Sequence, residues 1–351
     1  MKCYCIRCII YYYRKVRGVA MKKAVVIISA LVVALLGALI VYDATLNKTV
    51  SESFFAMNTL VSAEVTGISA KEDCEEIENI VSELDVQTLS RTSENSEIFR
   101  INKNGGGEIS GKTAEYFLLL LDVCKKSGGA FDFTLGGVSD LWKFGSNPVI
   151  PDEKMLADAV SHSGYEKVSL DGNSVSVSDE LIIDFGASGK GIALDEIKNH
   201  LESSKTKRAV VAVGGSVLLY GDGEFTVGIR NPEGNSGSYI AKLKTDARCV
   251  STSGSYEQSF EKNGRIYHHI IDPKTGYPSE NEVVSVTIVS ESGLLSDALS
   301  TACFVLGVEK GFGLADEYGA KAVFITKDKK IIPSDGLELE ITDNGYTLVS
   351  R

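Results

Sequence analysis

The sequence predicts an α+β fold behind one transmembrane helix near the amino terminus. Segments with helical spacing of apolar residues alternate with short strand-like segments, but without the regular period of a doubly wound sheet. No repeat of fixed period and no low-complexity segment is present. One uncharged apolar run, at residues 24–42, is long enough to span a bilayer.

The charge is distributed unevenly along the chain. Residues 1–23 carry seven basic side chains and no acidic ones. Residues 24–351 then hold 29 basic against 47 acidic residues, a net charge of about −18. Because nucleic acid binding needs a basic surface, this body is not expected to bind nucleic acid.

The apolar run has the properties of a membrane anchor. Its 19 residues would extend about 28 Å as a helix, close to the hydrocarbon thickness of a bilayer. Lys22 and Lys23 precede the run, so the positive-inside rule predicts a single-pass protein of the cell membrane with an extracytoplasmic body. A cleaved signal peptide is the alternative, although Tyr42-Asp43-Ala44 is a poor cleavage site.

Four parts are therefore predicted: a basic cytoplasmic tail at 1–23, the anchor at 24–42, a polar linker at 43–51 and a globular domain at 52–351. Met21-Lys22-Lys23 directly before the apolar run is a more usual start for a membrane signal than Met1. In that alternative, residues 1–20 are an upstream extension that is not translated. Cys5 and Cys8 have metal-site spacing, but without a second pair they predict no zinc site.

Periodicity predicts the elements of the globular domain. Helices are predicted at 72–89, 112–126, 190–203, 294–306 and 310–318. Strands are predicted at 54–66, 209–213, 225–230, 238–244, 265–271, 282–289 and 321–326, with a hairpin-like tail. The glycine-rich stretch 127–145 is expected to be irregular, and a turn or strand is expected to end at Ile183.

Residues 183–191 form a glycine-rich loop before a predicted helix. Glycines allow tight turns, and a helix amino terminus offers free amides to a phosphate. A Walker A loop is excluded, because Asp184 and Gly191 stand where that motif needs Gly and Ser or Thr. A plain structural turn would leave Asp184 and Lys190 unexplained, so this loop is interpreted as functional.

Asp297 and Thr301 are four residues apart in a predicted helix and therefore share one face. A carboxylate and a hydroxyl suit a hard cation that keeps some waters and binds substrate phosphates. Alternatively, Asp297 is a helix-start residue favoured by the helix dipole.

Two further segments hold candidate site residues. His268 and His269 lie near the end of the strand predicted at 265–271, where alternation lets at most one of them point into a site. Histidine is the natural base near neutral pH. The glycines and aromatic residues at 128–134, with Trp142 after them, could cradle a planar ring, or Trp142 could belong to the core.

Taken together and in order, these segments resemble the signature blocks of the ApbE-type FAD:protein FMN transferases. The resemblance covers roughly residues 52–330. The segments that carry it are Phe55 to Thr59, Ser96-Glu97 with Ile101-Asn102, Gly129 to Thr134, Asp184 to Gly191, Gly214-Gly215, Thr252 to Gly254, His269 to Pro273 and Asp297 to Thr301. Thr92 departs from the family pattern, since an aromatic residue often stands there.

The resemblance implies a T-fold-like flavin transferase domain with FAD between its halves and a divalent ion, normally Mg²⁺ with Mn²⁺ as an alternative, at the pyrophosphate. It assigns metal ligation to Ala187, Asp297 and Thr301, and catalytic roles to His269 and Asp297. The residues it places against FAD are Met57, Ala130, Phe131, Asp132, Asp184, Lys190, Ile271 and Ser300.

The implied activity moves FMN from FAD to a Thr or Ser hydroxyl of an exported or membrane-bound redox protein and releases AMP. Two alternatives remain open. A metal-dependent FAD pyrophosphatase would use water in place of the acceptor hydroxyl, and a non-catalytic flavin-binding or electron-carrier protein would retain FAD.

Overall fold

The computed structural model describes residues 6–145, 147–178, 180–235 and 237–351. They form two compact units that meet in sequence between Lys48 and Thr49. Cys5, one half of the cysteine pair, lies outside the described residues, as does the start of the basic tail.

The first unit contains one long helix, α1 (Ile6–Leu46). Within the described residues, its segment Tyr11–Leu39 is the one stretch long and apolar enough to cross a membrane. The predicted linker at 43–51 is wrong at both ends, because α1 continues to Leu46 and the first strand begins at Thr49. No glycine or proline at 43–48 ends the helix earlier, and pairing with the second strand fixes the start of the first.

The second unit contains the remaining elements. In chain order the strands are β1 (Thr49–Ala56), β2 (Thr59–Gly67), β3 (Gly106–Glu108), β4 (Val168–Asp171), β5 (Ser174–Val177), β6 (Thr206–Val213), β7 (Ser216–Gly221), β8 (Phe225–Arg230), β9 (Tyr239–Thr245), β10 (Cys249–Gly254), β11 (Ser259–Lys262), β12 (Arg265–His268), β13 (Val283–Ser290), β14 (Lys321–Thr326), β15 (Lys330–Pro333), β16 (Glu338–Ile341) and β17 (Thr347–Leu348). The helices are α2 (Ala70–Glu83), α3 (Glu97–Asn104), α4 (Gly111–Lys126), α5 (Gly136–Trp142), α6 (Glu153–His162), α7 (Gly189–Ser203), α8 (Gly293–Leu306) and α9 (Val308–Glu317).

A nine-stranded sheet organises this unit, in the order β1-β2-β6-β7-β10-β13-β14-β15-β17. Apolar residues of α2 and α7 pack on β2 and β6, and those of α4, α8 and α9 pack near β13 and β14. A third core joins the large sheet to the small sheet β16-β9-β8. Because these layers bury the central strands, α7 and α8 are held in fixed positions beside β7 and β10.

The predicted strand at 54–66 is wrong as a single element. It is a hairpin in which β1 pairs with β2 across a two-residue turn at Met57 and Asn58. Both turn residues have positive φ, 49° and 56°, as a type I′ hairpin turn requires. Asn58 tolerates this backbone readily, and the Met57 amide is held by a 2.9 Å hydrogen bond to Asp85 Oδ2.

Other boundaries differ because tertiary contacts decide them. The predicted helix at 72–89 ends at Glu83 and continues as a π-helical turn, Leu84–Leu89. The stretch 127–145 is not wholly irregular, since it contains α5. Ile182 pairs with Leu135 only in an isolated bridge, and the strand predicted at 265–271 ends at His268.

The first turns of α7 and α8 cross with their backbones in contact. A Cβ atom on Gly191 would lie 2.2 Å from the Gly293 carbonyl oxygen, and one on Gly293 would lie 2.3 Å from that of Gly191. Each helix also supplies a carboxylate to the other's free amides. Asp195 of α7 accepts from the amides of Gly293 and Leu294, and Asp297 of α8 accepts from that of Gly191.

Candidate active site

Asp297 lies at the centre of the candidate site, with only 4% of its surface exposed. Its Oδ2 accepts from the Gly191 amide at 3.0 Å, and its Oδ1 accepts from Ser216 Oγ at 3.1 Å. The interpretation of Asp297 as a residue that starts its own helix is wrong, because α8 begins at Gly293. Its carboxylate instead satisfies a free amide of α7, and this fixes its orientation.

Thr301 lies one turn further along α8, as its spacing from Asp297 predicts. Thr301 Oγ1 is 3.3 Å from Ser253 Oγ, which lies on β10. Ser300 is fully buried, and its hydroxyl donates to the Asp297 carbonyl at 2.8 Å while it contacts Ser253 Oγ at 2.7 Å. The Ser300 side chain is therefore engaged in holding α8 to the sheet.

Lys190 places a cation beside this carboxylate. Its Nζ is 3.6 Å from Asp297 Oδ2 and 3.5 Å from the Gly186 carbonyl oxygen. A Cβ atom on Gly214 would lie 2.8 Å from Thr59 Oγ1 and 3.5 Å from Lys190 Cδ, so a side chain at 214 would clash with Thr59 beside the lysine. Glycine is also favoured there by a φ of 57°.

Asp184 shapes the loop that leads into α7. Its Oδ1 accepts from the Gly186 amide at 2.8 Å, and its own amide donates to the Phe133 carbonyl at 2.7 Å. Its Oδ2 is 3.0 Å from Nε of Arg91. Ala187 follows in the same loop, half-buried, immediately before Ser188 at the start of α7.

The two histidines lie in different surroundings, as strand alternation suggested. His268 is buried, its Nε2 donates to the Ser279 carbonyl at 3.1 Å, and its ring contacts Phe304 edge-on. Burial, assisted by the charge of Lys190 and then by His268, lowers the pKa of His269 to about 4. His269 is therefore neutral at pH 7 and within the electrostatic influence of Lys190.

The aromatic residues at 131–144 belong to the core. Phe131 and Trp142 are at most 1% exposed, and Trp142 Nε1 donates to the Gly276 carbonyl at 2.8 Å. Ring stacking by Trp142 on a planar ligand is therefore excluded, and a contact from Phe131 would come from its backbone. Ala130 and Ile271 are similarly buried. Burial raises the pKa of Asp132, which accepts from the amides of Thr134 and Tyr165.

Two charged residues at the site were missed by the sequence analysis. Arg91 pairs with Asp184, and Glu257 lies with its Oε1 3.5 Å from where a Cβ atom of Gly215 would be. Desolvation and the nearby Asp297 raise the pKa of Glu257, whereas Lys190 and Arg230 oppose that shift. A single charge in a polar loop carries no local pattern, so Arg91 gave no signal of its own. Glu257 was indicated only by the Thr252 to Gly254 segment just before it, which forms the end of β10.

The donor atoms near Asp297 fit a hard divalent cation. Across the described residues, no group of three or more His, Cys, Asp or Glu side chains could hold a metal. A carboxylate has about four lone-pair positions, so the two hydrogen bonds from Gly191 and Ser216 leave capacity on Asp297. One carboxylate with the hydroxyl of Thr301 is the partial oxygen set that Mg²⁺ accepts when waters and phosphates complete its shell.

A model of the ApbE family matches residues 57–324. The chain belongs to the ApbE family. It is 35% identical over 274 residues to the FAD:protein FMN transferase of Treponema pallidum (strain Nichols), covering 71% of this chain and 76% of the relative. It is 31% identical over 277 residues to that of Klebsiella pneumoniae (strain 342), covering 76% of this chain and 86% of the relative.

Solved ApbE structures share the fold of this chain. The ApbE protein of Thermotoga maritima superposes with a TM-score of 0.72 at 29% identity, covering 84% of this chain and 97% of that one. The flavin transferase ApbE of Vibrio cholerae gives 0.70 at 25% identity, covering 85% and 98%. The α+β flavin transferase fold that the sequence predicts is therefore confirmed.

Proposed function

We propose that this protein is an FAD:protein FMN transferase that moves FMN from FAD to a Thr or Ser hydroxyl of an acceptor protein and releases AMP. Its relatives carry that name, and family membership supports the same activity here. The observation that carries the proposal is the buried Asp297 carboxylate beside Lys190, with a neutral His269 in the electrostatic range of that lysine.

Asp297, Thr301 and the Ala187 carbonyl would hold the divalent ion, and this all-oxygen donor set suits Mg²⁺, with Mn²⁺ as an alternative. When bound, the ion supplies charge neutralisation at the FAD pyrophosphate. The chain's own contribution is to keep the Asp297 carboxylate in one orientation through Gly191 and Ser216.

The other residues bind FAD and prepare the acceptor. Lys190 supplies positive charge for the phosphate oxygens, which carry the negative charge in phosphoryl transfer. Asp184 fixes the loop that precedes α7, and Met57 lies at a turn whose amide is held by Asp85. His269 would take the proton of the acceptor hydroxyl as that oxygen attacks the FMN-side phosphorus and AMP leaves.

The α1 helix would anchor the protein in the cell membrane as a single span, with the catalytic domain outside the cytoplasm. The uncharged run at residues 24–42 and the basic residues before it support this topology. In that location the acceptor would be an exported or membrane-bound redox protein.

The proposed function is tested with the full chain in detergent micelles, supplied with FAD, Mg²⁺ and a candidate flavin-acceptor protein. We expect AMP release together with a fluorescent acceptor band on a denaturing gel, and loss of both signals with excess EDTA. AMP without any fluorescent band, across several acceptors, would instead support an FAD pyrophosphatase. Bound FAD with neither signal would support a flavin carrier.

Replacing His269 with alanine is expected to lower kcat for FMN transfer by about 10²–10⁴-fold, the usual contribution of a positioned general base. His268→Asn is the matched control, because His268 contacts the Ser279 carbonyl and Phe304 in the core. We expect this control to lower Tm but to keep kcat within a few-fold of wild type. Equal kcat for wild type and His269→Ala, at saturating FAD and acceptor, would remove His269 from the chemistry.

The pH dependence follows from the lowered pKa of His269, about 4 in place of 6.5. The transfer rate should show no loss attributable to His269 between pH 6 and 8 and should fall only as the pH approaches 4. The unfolded chain binds more protons than the folded one between these two pKa values, so the His269 contribution to stability declines as the pH falls from 6.5 to 4. Initial rates and urea unfolding across pH 4–8 measure the two effects.

A further inference from the structure

Arg91 joins two carboxylates that are distant in sequence. Its Nη1 and Nη2 donate to the two oxygens of Asp140 at 2.8 and 2.7 Å, and its Nε is 3.0 Å from Asp184 Oδ2. Both carboxylates raise the pKa of Arg91. The Arg91 side chain is about one-quarter exposed, so this cluster is partly shielded from water at the surface of the domain.

The cluster connects three separate segments. Arg91 belongs to the loop between the π-helical turn and α3, Asp140 lies on α5, and Asp184 begins the loop that leads into α7. The Arg91 loop is itself ordered, because Ser90 Oγ accepts from the amides of Thr92 and Ser93. Arg91 is therefore presented from a stable loop.

Holding Asp184 has consequences for the rest of its loop. The second oxygen of Asp184 accepts from the Gly186 amide, and the Gly186 carbonyl oxygen is 3.5 Å from Lys190 Nζ. Ala187 follows Gly186 directly. A shift of Asp184 would move the backbone that carries Ala187 and Lys190.

The guanidinium group is engaged at each of its three nitrogens. All three of its nitrogens face carboxylate oxygens, and one cation with two carboxylates leaves the cluster with a net negative charge. Such a group is a poor direct ligand for the phosphates of FAD. The planar guanidinium can hold Asp140 through two nitrogens while its third nitrogen orients Asp184. Lysine, with one ammonium group, cannot reproduce this arrangement of donors.

We propose that Arg91 is a positioning residue for flavin transfer, which uses Asp140 as an anchor to hold the Asp184 loop in its FAD-binding geometry. This inference rests on the proposed function, because it treats that loop as part of the FAD site.

The test compares wild type with Arg91→Lys, Asp140→Asn and the double variant. We expect Arg91→Lys to raise KM for FAD and the Kd for FAD in Mg²⁺ by about tenfold, since displacements of about 1 Å in a site have effects of this order or larger. Its kcat at saturating FAD should change less than KM. Because Asp140 acts through Arg91, the double variant should be no worse than Arg91→Lys.

Arg351→Lys is the matched control, because Arg351 forms a comparable 2.6 Å ion pair with Asp316 of α9, away from the candidate site. A purely structural role for Arg91 would lower Tm and the folded fraction without raising KM. The inference is overturned if Arg91→Lys binds and uses FAD like wild type, or if the effects of Arg91→Lys and Asp140→Asn simply add. If wild type itself shows no transfer, the proposed function fails, and the Kd values for FAD still decide the role of Arg91.

Discussion

Replacing Asp297 with asparagine is expected to lower FMN transfer by about 10³-fold, because the neutral amide loses the charge needed to hold a divalent ion. Asparagine offers only one acceptor oxygen, whereas the Asp297 carboxylate serves Gly191, Ser216 and Lys190. Leaving one of these buried donors without its acceptor should also cost about 1–3 kcal/mol of stability. AMP release, covalent flavin on the acceptor and urea unfolding measure both effects.

The reciprocal arrangement of α7 and α8 provides the control for Asp297→Asn. Asp195→Asn removes the other capping carboxylate, which accepts from the amides of Gly293 and Leu294. We expect Asp195→Asn to lose stability by about 1–2 kcal/mol and to retain most activity at a temperature where it is folded. Asp297→Asn with near-wild-type transfer would contradict the assignment of Asp297 as a metal ligand.

Replacing Gly191 with alanine is expected to destabilise the second unit by about 3–5 kcal/mol. The added Cβ would lie 2.2 Å from the Gly293 carbonyl oxygen and 2.7 Å from Asp297 Cβ. The nearest of these contacts is backbone, so α7 and α8 would have to separate. We expect Tm to fall by roughly 6–12 °C and transfer to fall with it, because separation of the helices would also misplace Asp297.

Gly313→Ala is the matched control for Gly191→Ala. Gly313 lies on the exposed side of α9, and a Cβ atom there would have no neighbour within 4 Å. Alanine at this position should stabilise the protein by about 0.5–1 kcal/mol through helix propensity. If Gly191→Ala unfolds within 1 kcal/mol of wild type, the helices do not meet as closely as described.

The parts of the candidate site that the sequence predicts are those whose residues lie close together in the chain. Spacing alone placed Asp297 and Thr301 on one helical face, and α8 has them one turn apart. The loop from Asp184 to Lys190 was identified because its glycines and charges lie together in the chain. Periodicity likewise located α4 and α7 to within a residue or two.

The remaining features depend on contacts between distant segments. The Gly191 amide and Asp297 are 106 residues apart, so no local pattern indicates that one caps the other. Arg91 acquires its partners from two other segments in the same way. The hairpin turn was missed because methionine rarely adopts a positive φ. Met57 does so here, and its amide is held by Asp85, which lies 28 residues further along the chain.

The hydrogen bond from the Gly191 amide to Asp297 Oδ2 gives the site a natural spectroscopic reporter. The amide proton senses the electron density of the carboxylate oxygen that accepts it, and a cation bound at that carboxylate draws density away. Metal titration should therefore move the Gly191 amide resonance and alter its exchange with solvent deuterium. Occupancy of the site could be followed on one backbone nucleus, without turnover and without an acceptor protein.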